Sequence, residues 1–283
     1  MTEPVSEARA GVEGLGRPRR GGAPSFWLQA FAAMAYRQLA RFRAAPSRIV
    51  NSLVFPLIWL LFFGLGWSAA FNVIGPMARQ LFKGLDYLEF LAPGIIVMTV
   101  FTSGFGSGLG VIWDREFGYL KEILVSPAPR SAVLLGRMTG DTLATMLQGA
   151  VMALLVSVAA GYTSVQGVLA GLLAAFIAAY ASASIGTLIA LSMRSPEGFH
   201  TVISLIMMPM LFLSGAFYPI DPLPGWLKAL AYVNPLTYAV DLTRGLMYGV
   251  YSLSPGLDIL GLLAVTGAFT ALALAKFGRT YMA

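Results

Sequence analysis

"WDREFGYLKEILVSPAPR", Trp113 to Arg130, carries six charged side chains (Asp114, Arg115, Glu116, Lys121, Glu122 and Arg130) in a chain where only 11% of residues are charged. Whether it is a loop of a soluble domain or a connection between membrane spans decides the fold. The flanks settle the matter. "FLAPGIIVMTVFTSGFGSGLGVIW" (Phe90–Trp113) precedes it without a single charge, and a second apolar stretch begins near Thr142. Over the whole 283 residues, 57% are hydrophobic and the mean hydropathy is +0.74. Soluble domains are nearer 45–50% apolar and about 25% charged, so this chain departs in both directions and reads as an integral membrane protein.

A spanning helix needs about 20 mostly apolar residues. Six stretches qualify, at about 49–71, 87–113, 142–162, 166–193, 200–220 and 256–277. The fold class is therefore all-α, with six transmembrane helices in one unit over 25–283. Lys and Arg set its orientation. Fifteen of the nineteen fall in the tail before the first span, in the second and fourth connections, or at the C-terminus; Arg79, Lys83, Lys228 and Arg244 fall opposite. The positive-inside rule then places both termini and the quoted segment in the cytoplasm. That asymmetry also accounts for a net charge of +6 without nucleic acid as a partner.

Residues 1–24, rich in Gly, Pro, Arg and Glu, read as a disordered cytoplasmic tail and not as a secretory signal. "FWLQAFAAMAYRQLARFR" (Phe26–Arg43) follows. At helical spacing Trp27, Leu28, Phe31, Met34, Leu39 and Phe42 share one arc, while Gln29, Tyr36, Arg37, Arg41 and Arg43 share the other; Gln38 is the exception. Such a helix lies at a membrane interface or packs on a partner.

Read as a helix, 114–125 has Phe117, Leu120, Ile123 and Leu124 on an apolar arc, with Asp114, Arg115, Lys121 and Glu122 opposite. No charge from Asp114 to Glu122 has an opposite one three or four residues away, the spacing at which helical pairs form. These charges are then free for another partner, and Pro127 and Pro129 stop the helix. A solvated connection is the plain alternative.

The last connection, Tyr218–Pro255, is too polar and proline-broken for a span. Trp226–Val233 and Pro235–Met247 have helical spacing, with prolines at helix starts, and read as two outer re-entrant helices within 223–250. "SGFGSGLG" (Ser103–Gly110) interleaves Gly104/Gly108 with Gly106/Gly110, spacings that let helices approach closely. Neither a nucleophile elbow nor a dinucleotide fingerprint fits it. Ser182 and Gly186 read the same way. His200 sits at an interface, and Pro209 among three Met residues predicts a kink. With one histidine and no cysteine, thiol chemistry, cysteine-ligated metals and an intramembrane enzyme are excluded or disfavoured. An ion-coupled carrier acting without an ATPase is the alternative, although mid-span carboxylates are lacking.

"REFGYLKEILVSPAPRSAVLLGR" and "FLSGAFYPIDPLPGWLKALAYVNPLTYAVDLTRGL" together resemble the type-2 ABC exporter permeases, in particular the small six-span branch of daunorubicin-resistance and lipo-oligosaccharide permeases. The resemblance covers Phe26 to the C-terminus. It implies a permease subunit in a prokaryotic plasma membrane, paired with a second permease copy and two separate ATPase chains. ATP and magnesium would belong to the ATPase, since this chain has no G-x-x-x-x-G-K-[ST] loop. It implies ATPase coupling through Arg115, Glu116, Tyr119, Leu120, Lys121, Glu122, Leu124 and Pro127. It places Pro219, Pro224, Trp226, Asn234, Pro235 and Arg244 in the outer re-entrant element, against membrane lipid. The expected cargo is hydrophobic or amphipathic: a drug-like molecule, a lipid or a lipid-linked glycan.

Overall fold

A computed structural model describes residues 23–44, 46–119, 125–161, 164–193 and 195–280. The tail to residue 22 lies outside them. The described chain is all-helical: α1 Ala23–Arg43, α2 Pro46–Trp59, a π-helical stretch Leu60–Trp67, α3 Ser68–Ile74, α4 Pro76–Leu81, α5 Tyr87–Glu116, α6 Arg130–Ala159, α7 Val165–Ala190, α8 Pro196–Phe212, α9 Gly225–Val233, α10 Pro235–Tyr248 and α11 Pro255–Thr280.

Five helical stretches are long and apolar enough to cross a membrane: Val50–Phe71, Tyr87–Glu116, Arg130–Ala159, Val165–Ala190 and Pro255–Arg279. The stretch expected to span at 200–220 is different. α8 has 17 residues and stops at Phe212. Such a helix reaches only ~25 Å, short of a ~30 Å hydrocarbon core. Gly215, with φ 73°, turns the chain, and the Ser214 hydroxyl donates to the Leu211 carbonyl and accepts from the Ala216 amide. Residues 213–220 therefore fold back instead of extending the helix.

α5 is the centre of the bundle. Phe90 to Phe101 are all buried, and α7 lies along the helix through small residues. A side chain at Gly104 would strike Ser182 and Ala179, and one at Gly108 would strike Gly186 and Phe199. Backbones this close maximise packing in a medium that supplies no hydrophobic drive between helices.

The first span is held more loosely. Pro56 removes a backbone donor one turn before the π-helical stretch opens. A ladder of rings takes over the packing: Trp59 stacks on Phe63 at 4.6 Å and tilts against Phe217 at 4.7 Å, while Phe71 meets Tyr87 at 5.0 Å.

α6 starts at Arg130, twelve residues before the expected span, so "RSAVLLGR" is its first two turns. α5 and α6 each have 30 residues, ~45 Å at helical rise, so each is longer than the hydrocarbon core is thick. Their surplus turns carry Asp114, Arg115, Arg137 and Asp141, and α1 packs against the surplus of α6. Gly136 and Gly140 make this possible: a Cβ at either would strike the α1 backbone, at Phe31 and Ala35 respectively.

Candidate functional site

Most of the positive charge in the described chain gathers at one end of the bundle, and contacts tie that end together. Arg115 donates to the Met193 carbonyl at 2.6 Å. Arg130 donates to the Gly278 carbonyl at 3.3 Å, and Lys276 donates to the Ser192 hydroxyl. At the other end Lys83 pairs with Asp221 at 2.9 Å and donates to the Ser252 hydroxyl at 3.0 Å.

The centre of the basic end is Asp114, which is buried. Arg37 reaches both its oxygens at 3.3 Å, Arg41 donates to Oδ1 at 3.0 Å, and Arg137 donates to Oδ2. A carboxylate in the last turn of a helix opposes the helix dipole; three guanidiniums from two other helices offset that here. Asp114 was expected to be free for an outside partner because its own helix offers no countercharge. Tertiary packing overturns this: the countercharges come from α1 and α6. One turn along α6, Asp141 accepts from the Ser107 hydroxyl at 2.5 Å and from Gln38 at 3.5 Å, with Arg137 Nε 3.8 Å away. Gln38, the polar exception on the apolar arc of α1, is buried for this reason.

A cleft of about 790 Å³ opens beside these groups, lined by α1, α5 and α6. Arg41, Arg137, Asp141 and Gln148 supply polar walls, and Phe42 and Trp113 supply apolar ones. The glycine stripe of α5 divides at this point. Gly104 and Gly108 pack on α7, but a Cβ at Gly106 would meet nothing within 4 Å, and one at Gly110 would meet only the Arg137 guanidinium. Gly106 and Gly110 line the cleft, which corrects the expectation that all four serve helix packing.

The expected coupling helix, 114–125, is interrupted at residues 117–118. Asp114, Arg115 and Glu116 are the last turn of α5, and Gly118 at φ 79° ends it. Glu116 is exposed. Tyr119 is exposed as well, its ring centroid 5.9 Å from the guanidinium carbons of Arg37 and of Arg41. Pro127 is exposed just ahead of α6. Leu120, Lys121, Glu122 and Leu124 lie outside the described residues.

At the opposite end, α9 and α10 match the two short helices expected there. Pro224 precedes α9 and Pro235 opens α10. Asn234 accepts from the Leu236 amide and donates to the Met210 carbonyl at 2.7 Å. Arg244 is buried and donates to the carbonyls of Phe90 and Gly215, at 3.2 and 2.7 Å, with its guanidinium 3.7 Å from the centroid of the Phe90 ring. Asp241 accepts from the Ser252 and Leu253 amides. Pro219 is buried, and Trp226 is exposed.

Sequence reading missed Asp114 as a hub, and with it Arg137, Asp141 and the Gly136/Gly140 seat of α1. "GRMTG" (Gly136–Gly140) has the small-xxx-small spacing that would have flagged the seat. Nothing local marks Arg37 and Arg137 as sharing Asp114, because they are a hundred residues apart.

Relatives are similar to this chain over most of its length. Nodulation protein J of Rhizobium leguminosarum bv. viciae is 29% identical over 80% of this chain and 85% of its own. The daunorubicin resistance ABC transporter permease protein DrrB1 of Streptomyces coeruleorubidus is 26% identical over 88% of this chain and 84% of its own. The ycf38 protein of Cyanophora paradoxa, named as a transport permease, is 27% identical over 77% and 74%. The family model for ABC-2 type transporters matches residues 29–248, from the helix that covers the cleft to the end of α10, and the chain accordingly belongs to the ABC-2 type transporter family as a membrane permease.

Proposed function

We propose that the chain is the membrane half of an ATP-driven exporter, working as a pair with two separate ATPase subunits docked on its basic end. In this reading the basic end faces the cytoplasm of a prokaryotic cell, both termini lie there, and α8 with its fold-back counts as a short sixth span. ATP and magnesium belong to the ATPase. The segment from Arg115 through Pro127 receives ATPase movement and passes it on. One observation carries the coupling role: Tyr119, at the start of that segment, lies against Arg37 and Arg41, which bind Asp114 at the end of α5. A push on this segment therefore bears on α1, α5 and α6 together.

Cargo is hydrophobic or amphipathic. The apolar first span, seated by rings, and the polar cleft among apolar walls support this reading. The relatives' names add daunorubicin resistance and nodulation as contexts.

Co-purification in mild detergent tests the assignment. The tagged wild-type chain should bring down an ABC ATPase, and Glu116→Lys with Lys121→Glu should lose it while keeping its melting temperature. Retention of the ATPase by that variant would overturn the coupling role. Absence of any ATPase from wild type would overturn the exporter reading.

A further inference from the structure

We infer that the cleft between α1, α5 and α6 binds the anionic, hydroxyl-bearing headgroup of an amphiphile. The starting point is a mismatch between donors and acceptors. Asp114 receives four hydrogen bonds, two from Arg37 and one each from Arg41 and Arg137. A carboxylate has about four lone-pair sites, so it is full. Asp141 takes Ser107 and Gln38 on Oδ2, which leaves it about two further acceptor sites. A guanidinium, by contrast, has about five N–H donors, and the three arginines have donors left over. Arg137 Nε, buried, has no hydrogen-bond partner.

Charge points the same way. Arg37, Arg41 and Arg137 face Asp114 and Asp141, which leaves a net positive site. Arg41 lines the cleft with 38% of its side chain exposed. A surplus of positively charged donors in a partly desolvated cleft selects an anion, and phosphate or carboxylate suits a guanidinium best. Three turns beyond Arg137 along α6, Gln148 Oε1 is buried and accepts from nothing, an acceptor that a hydroxyl on the same ligand would satisfy.

Shape supplies the amphiphile. At about 790 Å³ the cleft falls in the size range of small-ligand pockets. Phe42, Leu109, Trp113 and Phe117 form an apolar wall beside the polar one. Gly106 keeps the middle of the α5 face open, and Gly110 leaves room for the Arg137 guanidinium.

The inference rests on the exporter reading only for the leaflet that supplies the ligand. Native mass spectrometry on the full chain with its co-purified ATPase would test it. The probes are dioctanoyl phosphatidylglycerol, dioctanoyl phosphatidylcholine and glycerol phosphate. Phosphatidylglycerol should be retained about tenfold better than phosphatidylcholine, the effect of one charge-assisted bond, and glycerol phosphate should be retained weakly. Arg41→Gln should remove that preference. Gly106→Leu, whose Cβ would meet nothing within 4 Å, should abolish retention with the melting temperature unchanged. Arg279→Gln, a basic residue away from the cleft, should change nothing.

Equal retention of the two lipids, wild-type binding by Gly106→Leu, or an equal loss in Arg279→Gln would each overturn the inference. Glycerol phosphate bound as tightly as the lipid would replace the amphiphile with a soluble anion. If Gly106→Leu fails to fold, Arg41→Gln decides alone. Loss of lipid binding with the ATPase still attached refutes this inference and not the exporter; loss of the ATPase with lipid retained does the reverse.

Discussion

The two ends of the bundle hold their polar groups in opposite ways. At the α9–α10 end, side chains bond to backbone. Arg244 takes two carbonyls, Asn234 takes another, and Asp241 holds two amides. The cavity enclosed there is about 10 Å³, room for one water. In the buried cluster of the basic end, around Asp114 and Asp141, side chains bond to side chains on other helices, beside a cleft of about 790 Å³. Backbone partners are fixed by the fold and have no second arrangement. Side-chain ion pairs can be exchanged when helices shift. The difference suits the α9–α10 end to anchoring and the basic end to rearrangement.

The largest effect should come from Asp114→Ala. Removing one partner of a buried ion cluster costs about 3–5 kcal/mol, here because three guanidiniums are left facing each other. Melting temperature and monodisperse yield in detergent should both drop sharply. Replacing Asp114 with Leu and Arg137 with Met together should recover most of that stability, since a buried pair exchanged for apolar groups is often neutral. ATP-dependent export should stay lost in the double variant. Full export by it would break the comparison, because the cluster would then be only structural.

Arg244→Met comes next. It orphans the carbonyls of Phe90 and Gly215 in a buried setting, at about 1–3 kcal/mol, read as a lower melting temperature. Export per folded molecule should be near wild type. A folded Arg244→Met protein that hydrolyses ATP without export would show that the anchor end moves as well.

Within α5 the comparison can be sharpened at a single helix. Gly108→Val forces atoms into the α7 backbone and should cost about 1–3 kcal/mol by overpacking, whereas Gly106→Ala should leave the melting temperature unchanged. Equal losses would mean that the open face of α5 at Gly106 is packed in the assembled protein. The smallest effect belongs to Lys83→Ala. Its pair with Asp221 is partly solvated, so thermal stability should change by less than about 1 kcal/mol.

Much of this layout was legible residue by residue. Five of the six apolar runs and the prolines before α9 and α10 are local signals that match elements of the structure; the run at 200–220 does not. The glycine spacing in Ser103–Gly110 announced close packing without saying which glycines pack, because direction around a helix has meaning only relative to its neighbours. Span ends were less legible. The excess turns of α5 and α6 are polar, and hydropathy alone reads polar turns as loops.

Composition and periodicity by themselves determined an all-helical membrane protein, its basic end and the pair of short helices before α11, since each depends on side chains within a turn or two of one another. Only the tertiary structure decided that Asp114 is bound, that Gln38 is buried and that Gly106 faces a cleft. Those facts depend on which helix arrives alongside, and countercharges up to 77 residues apart in the chain meet only once α1 has settled on Gly136 and Gly140.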